Sequence, residues 1–173
     1  MITLYHGTTL EIAEPLVKVG RQMVDFGQGF YLTKLRRQAS LWAETIAERR
    51  TSGLAVVNRY EFNIDAAKAQ CGTRYKVFEA YDLEWLEYVI DCRRGGRLQK
   101  QYDVVEGGVA NDKVIDTVED YEKGVITAEQ ALGQLAYKDV NHQIAILSQS
   151  VIDAFLTFKG GASVRPKGDR HAR

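Results

Sequence analysis

Three residues sit where a polar or aromatic group meets an apolar, strand-like run. His6 follows residues 2–5, Tyr31 lies within residues 30–33, and Gln143 precedes residues 144–147. Strand ends are rigid, and groups carried on several of them can converge on one cleft. A tyrosine presented beside a turn is a flat platform for a flat ligand. Each residue also has a structural reading: a satisfied surface histidine, a core aromatic, a strand-edge amide. Other chemistries find less support. His6, His142 and His171 show no paired metal-ligand spacing, so no metal is expected. Ser148 and Ser150 lack the glycine elbow of a serine hydrolase. No acidic pair stands out for glycoside hydrolysis. Gly27-Gln28-Gly29 precedes a strand, so it is not the dinucleotide fingerprint, in which glycines open a helix.

Elements must hold these positions. Residues 25–33 read as a tight turn feeding a strand. Gly27 and Gly29 accept backbone angles closed to other residues, clear space for a ligand and leave the preceding loop free to fold over it. Phe30-Tyr31-Leu32-Thr33 has strand chemistry. Residues 2–5 form a first strand, and Thr8 or Thr9 caps a following helix in which Ile12, Leu16 and Val19 recur. Pro15 delays or kinks that helix, and Gly20 stops it. Arg36–Arg50 is the clearest helix. Its face of Ala39, Ala43, Ile46 and Ala47 suits close packing on a sheet, with Trp42 beside it.

Residues 54–64 read as a long strand, followed by a loop through Cys71 and Gly72. Asp82 caps a helix ending near Cys92. Residues 102–105 form a strand, Glu106-Gly107-Gly108 a turn, and a polar helical region runs to Tyr121. Thr127 and Gln130 spell a capping box. Residues 144–147 are a fully apolar strand, and 151–158 a helix or strand. Short strands separated by helices of uneven length indicate an α+β fold.

Composition bounds the rest. The 173 residues suit one domain over 1–160, with 161–173 as a basic, frayed tail. Basic and acidic residues balance at 23 each, so no global field draws the chain to nucleic acid or membrane. No apolar run is long enough for a membrane span, and residues 1–6 look like a first strand, not a signal peptide. Cys71 and Cys92 stand far apart, so free thiols in a reducing cytoplasm are expected.

Four stretches taken together resemble the ADP-ribosyltransferase superfamily, in its His-Tyr-[Glu/Gln] branch. They are Tyr5-His6-Gly7-Thr8, Phe26-Gly27-Gln28-Gly29-Phe30-Tyr31-Leu32-Thr33, Val109-Ala110-Asn111-Asp112-Lys113 and Asn141-His142-Gln143-Ile144. The whole chain is most similar to an uncharacterised bacterial family classed as ADP-ribosyltransferase-like. The resemblance implies a split mixed β-sheet core with flanking helices, and NAD as substrate without a metal. It implies that His6 bonds the ribose hydroxyls and that the Gly7 backbone pairs with the nicotinamide carboxamide, Thr8 lying in the same motif. Tyr31 would stack on the nicotinamide ring.

Eleven residues after Tyr31, where the poly-ADP-ribose polymerases, the polymerase branch of this group, have a second sandwiching aromatic, stands Trp42. Eight residues after it, where that branch has a serine, stands Ala39, with Ser40 adjacent. Gln143 takes the catalytic glutamate's position. It can orient a hydroxyl but brings no negative charge to an oxocarbenium-like state. Asp112 or Glu106 could supply that carboxylate, and Asn111-Asp112 reads equally well as a helix cap. The implied activity is mono-ADP-ribosyl transfer from NAD to a protein, nucleic acid or small molecule, in a cytoplasmic toxin or regulatory modifier with an antitoxin or immunity partner. A weak NAD-binding module, an NAD glycohydrolase and an interaction domain without a nucleotide site are the alternatives.

Overall fold

The computed structural model describes residues 1–50, 54–70, 72–110, 114–136 and 142–164. Among them the chain is α+β, with strands in two separate sheets, ordered β1-β3-β7 and β2-β6-β5-β4, and six α-helices. It divides into two compact units. The first gathers Met1–Pro15, Tyr31–Gln70 and Ser150–Arg173; the second gathers Leu16–Phe30 and Cys71–Gln149.

In the first unit, β1 (Ile2–Thr8) and β7 (Leu156–Val164) flank β3 (Ala55–Phe62), both antiparallel to it. One face of this sheet carries α1 (Arg36–Arg50). Its stripe of Ala39, Ala43 and Ala47 packs on Ala55 and Val57, with Tyr5 and Val164 at the margin. Alanines let helix and sheet approach closely, as the sequence pattern anticipates. Asn63 caps α2 (Ile64–Ala69), a short helix where the sequence reads as a loop; its side chain accepts from Ala66 N. The chain returns through α6 (Gln149–Phe155) into β7. The β3–β7 register slips between Arg59 and Tyr60, and Gly160 absorbs the bulge at φ 121°. The expected boundary at 160/161 therefore falls inside a strand; residues 165–173 lie outside the described residues.

In the second unit, β4 (Tyr75–Val77) runs parallel to β5 (Val104–Gly108), which pairs antiparallel with β6 (His142–Ile146). The sheet order also includes β2 (Phe30–Leu32), of which Phe30 falls in the second unit and Tyr31 and Leu32 in the first. Asp82 caps α3 (Leu83–Arg93) by accepting from Trp85 N at 2.8 Å. The capping box of Thr127 and Gln130 opens α5 (Ala128–Leu135), after α4 (Ile115–Glu122). Phe26, Phe78 and Tyr88 form the aromatic core.

Two expectations give way here. Glu106-Gly107-Gly108 is not a turn but the end of β5. Its glycines answer to packing: a Cβ on Gly107 would lie 3.0 Å from Phe78 Cβ, and one on Gly108 2.4 Å from the Tyr81 ring. The helix expected after Thr8 or Thr9 shrinks to a single 3₁₀ turn, Val17–Val19, with no side-chain cap. Residues 10–12 are instead bonded to side chains of β3, which compete with helix formation.

The glycine packing is open to measurement by denaturant unfolding. Gly108→Ala should cost about 1–3 kcal/mol through overpacking against Tyr81. Gly133→Ala, inside α5 with nothing near the added methyl, should gain about 0.5–1 kcal/mol.

Candidate functional site

His6, Gly7 and Thr8 end β1, and Tyr31 lies on β2, so the first unit brings together most of the residues singled out in the sequence. Tyr5 and Thr33 exchange both backbone bonds, Tyr5 N to Thr33 O at 2.8 Å and Thr33 N to Tyr5 O at 2.9 Å. In an unbroken antiparallel ladder the next such pair would be Gly7 and Tyr31. The ladder stops short of it. The Tyr31 carbonyl accepts instead from His6 Nδ1 at 2.8 Å. Gly7 therefore keeps its N–H and C=O on the edge of β1 turned away from β3.

That bond also sets the state of the imidazole. A carbonyl can only accept, so Nδ1 carries the proton. Burial lowers the His6 pKa from 6.5, and the Tyr31 carbonyl opposes this to a smaller degree. The ring is neutral at pH 7, and Nε2 presents a lone pair. An imidazole nitrogen in that state is a hydrogen-bond acceptor. Thr8, also buried, lies opposite Val56 on the same sheet face.

On the other face, a Cβ on Gly7 would stand 1.9 Å from the Ala39 carbonyl oxygen and 2.9 Å from Ala43 N. Only glycine allows α1 to lie this close to the strand. Ala39 is consumed by that contact, and the neighbouring Ser40 hydroxyl donates to Arg36 O in its own helix. Trp42 is 40% exposed beside the alanine stripe, with the Arg49 guanidinium 5.9 Å from its ring centre.

Gln143 belongs to the second unit. It lies on β6 directly opposite Gly107 of β5, half-buried. Glu106 pairs with Ile144, one residue further along. Side chains alternate across a sheet, so Glu106 points to the face opposite Gln143. There its buried carboxylate accepts from the Tyr75 hydroxyl at 3.0 Å. Burial, then the nearby carboxylate, raise the Tyr75 pKa. Glu106, expected as a possible carboxylate beside Gln143, is thereby on the opposite face of the sheet. Asn111 and Asp112 lie outside the described residues.

The segment before Tyr31 is anchored, contrary to the free loop expected. Asp25 accepts from Arg93 Nε at 2.8 Å and from Ala110 N at 2.7 Å. Gln28 N donates to Gln99 Oε1, and the Gln28 amide donates to the carbonyls of Lys18 and Gly20. The glycines are filled as well: a Cβ on Gly29 would meet Leu147 Cδ2 at 2.6 Å, and one on Gly27, at φ 82°, the Gln99 side chain.

Sequence reading also passed over Asn58 and Tyr60. Asn58, fully buried on β3, faces His6 across the strands and bonds the backbone of Leu10 and Ile12. A lone amide at an inward position of an apolar strand was the available signal. Cys92 is a buried free thiol, pushed up to about 12 chiefly by burial, and so unreactive. Among the described residues no helix is long and apolar enough to cross a membrane, and no His, Cys, Asp and Glu side chains cluster as metal ligands.

Fold and site together define an α+β protein whose first strand carries a neutral, backbone-anchored histidine beside an opened ladder edge. The chain belongs to the family described as Protein of unknown function (DUF3990), whose model matches residues 2–158. No curated protein and no solved structure matches it.

The state of His6 predicts an acid sensitivity. Because its pKa is lowered on folding, the unfolded chain binds a proton that the folded chain does not, in the window just below pH 6.5. The stability it contributes is present above 6.5 and is lost as pH falls through the lowered folded value. Urea unfolding from pH 7 to pH 5 should show a shallower decline for His6→Asn than for wild type.

Proposed function

We propose that this protein binds NAD and transfers its ADP-ribose, as a mono-ADP-ribosyltransferase. The observation that carries the reading is the β1 edge at His6 and Gly7. A carboxamide presents one donor and one acceptor side by side, which matches the N–H and C=O of a strand residue released from its ladder. Beside it, His6 Nε2 suits a ribose hydroxyl donor, and Tyr31 suits one face of the nicotinamide ring. Trp42 supplies a second aromatic at the spacing the resemblance implies. The α+β core divided into two sheets also fits an ADP-ribosyltransferase-like split sheet.

In the reaction the bond from ribose C1′ to the nicotinamide nitrogen breaks, and nicotinamide leaves with the electron pair. An acceptor nucleophile bonds C1′ and gives up its proton. Gln143 would orient a ribose hydroxyl through its amide without offsetting the positive charge that develops on the sugar. Glu106, on the other face of its sheet, does not make up that charge. This favours single, slow transfers over polymer formation, and it keeps a weakly catalytic NAD-binding module as the second reading. A bacterial toxin or modifier with an antitoxin partner is the biological setting that the resemblance suggests.

Incubation with labelled NAD and separate pools of protein, nucleic acid and small molecules tests both readings. Wild type should release nicotinamide and label one pool, and a His6→Ala, Tyr31→Ala double variant should do neither; equal release from both would sink the enzymatic reading. Calorimetric binding without turnover would support the binding module. Gln143→Glu should raise NAD cleavage by about tenfold or more. Trp42→Ala should weaken NAD binding by about 0.5–1.5 kcal/mol, the worth of one aromatic contact.

A further inference from the structure

Asn58 directs both ends of its amide to a segment 46 to 48 residues earlier in the chain. Its Oδ1 accepts from Ile12 N at 2.9 Å, and its Nδ2 donates to Leu10 O at 3.0 Å. Two positions along β3, the Tyr60 hydroxyl donates to Ile12 O. Gly161 N, opposite Asn58 on β7, donates to the Glu11 carboxylate at 3.2 Å. Residues 10–12 are thus held by side chains much as an added strand is held by backbone. The sheet itself does not require an amide at this position. A leucine would fill an inward site on β3, but it would leave Leu10 O and Ile12 N without these partners. The segment begins two residues after Thr8, and its principal anchor faces His6 directly across the strand pair.

We propose that Asn58, supported by Tyr60, is a positioning residue that clamps residues 10–12 beside the imidazole of His6 and holds that ring in its single working orientation. Asn58 stands at the register position opposite His6, while the Tyr31 carbonyl holds the Nδ1 of the ring. The clamp itself is built from uncharged groups, the Asn58 amide and the Tyr60 hydroxyl. The Glu11 carboxylate is turned to Gly161 N. With the clamp in place, the ring keeps one orientation, its Nδ1 toward the Tyr31 carbonyl. Its consequence for nucleotide affinity rests on the NAD reading above; its consequence for the imidazole does not.

The test uses the full chain with nitrogen-labelled histidine. In wild type, NMR should show His6 as one neutral tautomer, protonated on Nδ1, with a titration midpoint below 6.5. Asn58→Ala and Tyr60→Phe should each speed hydrogen exchange at the Ile12 amide, move the midpoint upward and populate the second tautomer. NAD affinity by calorimetry should fall about three- to tenfold, as expected for a lost hydrogen bond. If Asn58→Ala does not fold, Tyr60→Phe, which keeps the ring, decides alone. Faster Ile12 exchange in a folded variant with unchanged His6 titration and tautomer would overturn the proposal. A moved titration in a chain that binds no NAD would uphold the clamp and overturn the nucleotide reading.

Discussion

A single hydrogen bond, from His6 Nδ1 to the Tyr31 carbonyl, takes the place of a backbone rung between β1 and β2. Much of the candidate site follows from that substitution. It consumes the carbonyl that would otherwise hold Gly7, and it leaves a strand edge with both polar groups available. It places the imidazole proton on Nδ1 and so turns Nε2 into an acceptor. Burial then keeps the ring neutral, since a charged imidazolium loses more hydration than one carbonyl returns.

Close approach is the second constraint. Gly7 allows α1 to rest on β1 at a distance no side chain tolerates, and the alanine stripe of α1 carries the close packing onto β3 over about two turns. Glycines 27, 29, 107 and 108 act in the same way within the second unit, where rings and neighbouring chain fill the space a Cβ would need. There the Asp25 carboxylate joins Arg93 of α3 to the Ala110 amide. The stretch leading into Tyr31 is thereby tied to the stretch leading into Asn111, two of the four stretches that carry the resemblance to ADP-ribosyltransferases.

Two of the described residues proposed to handle NAD bring no free carboxylate to it. Gln143 is neutral, and Glu106 is committed to Tyr75 on the opposite face of its sheet. A site of this kind can orient a ribose through hydrogen bonds more readily than it can stabilise a cationic transition state.

Elements with a local cause were legible in the sequence. The bounds of α1 follow from its alanine period, the Asp82 cap from an acceptor one residue ahead of α3, and the capping box from Thr127 and Gln130. The strand ends were less so: His6, expected just after residues 2–5, and Gln143, expected just before 144–147, both lie inside strands, because a ladder extends as far as its partner strand supplies hydrogen bonds. The glycines of 106–108 misled, since a glycine chosen for a turn and one chosen because an aromatic ring presses on it look identical in sequence. The helix expected over residues 12–19 failed for a related reason: its backbone groups found partners on Asn58 and Tyr60, nearly fifty residues away. Sequence by itself determined which segments could be helix or strand and which side chains could bind or react. Only tertiary structure decided that Asn58 faces His6, that Glu106 faces away from Gln143, and that Tyr31 lends its carbonyl to an imidazole, because register, sheet face and backbone hydrogen bonds depend on residues distant along the chain.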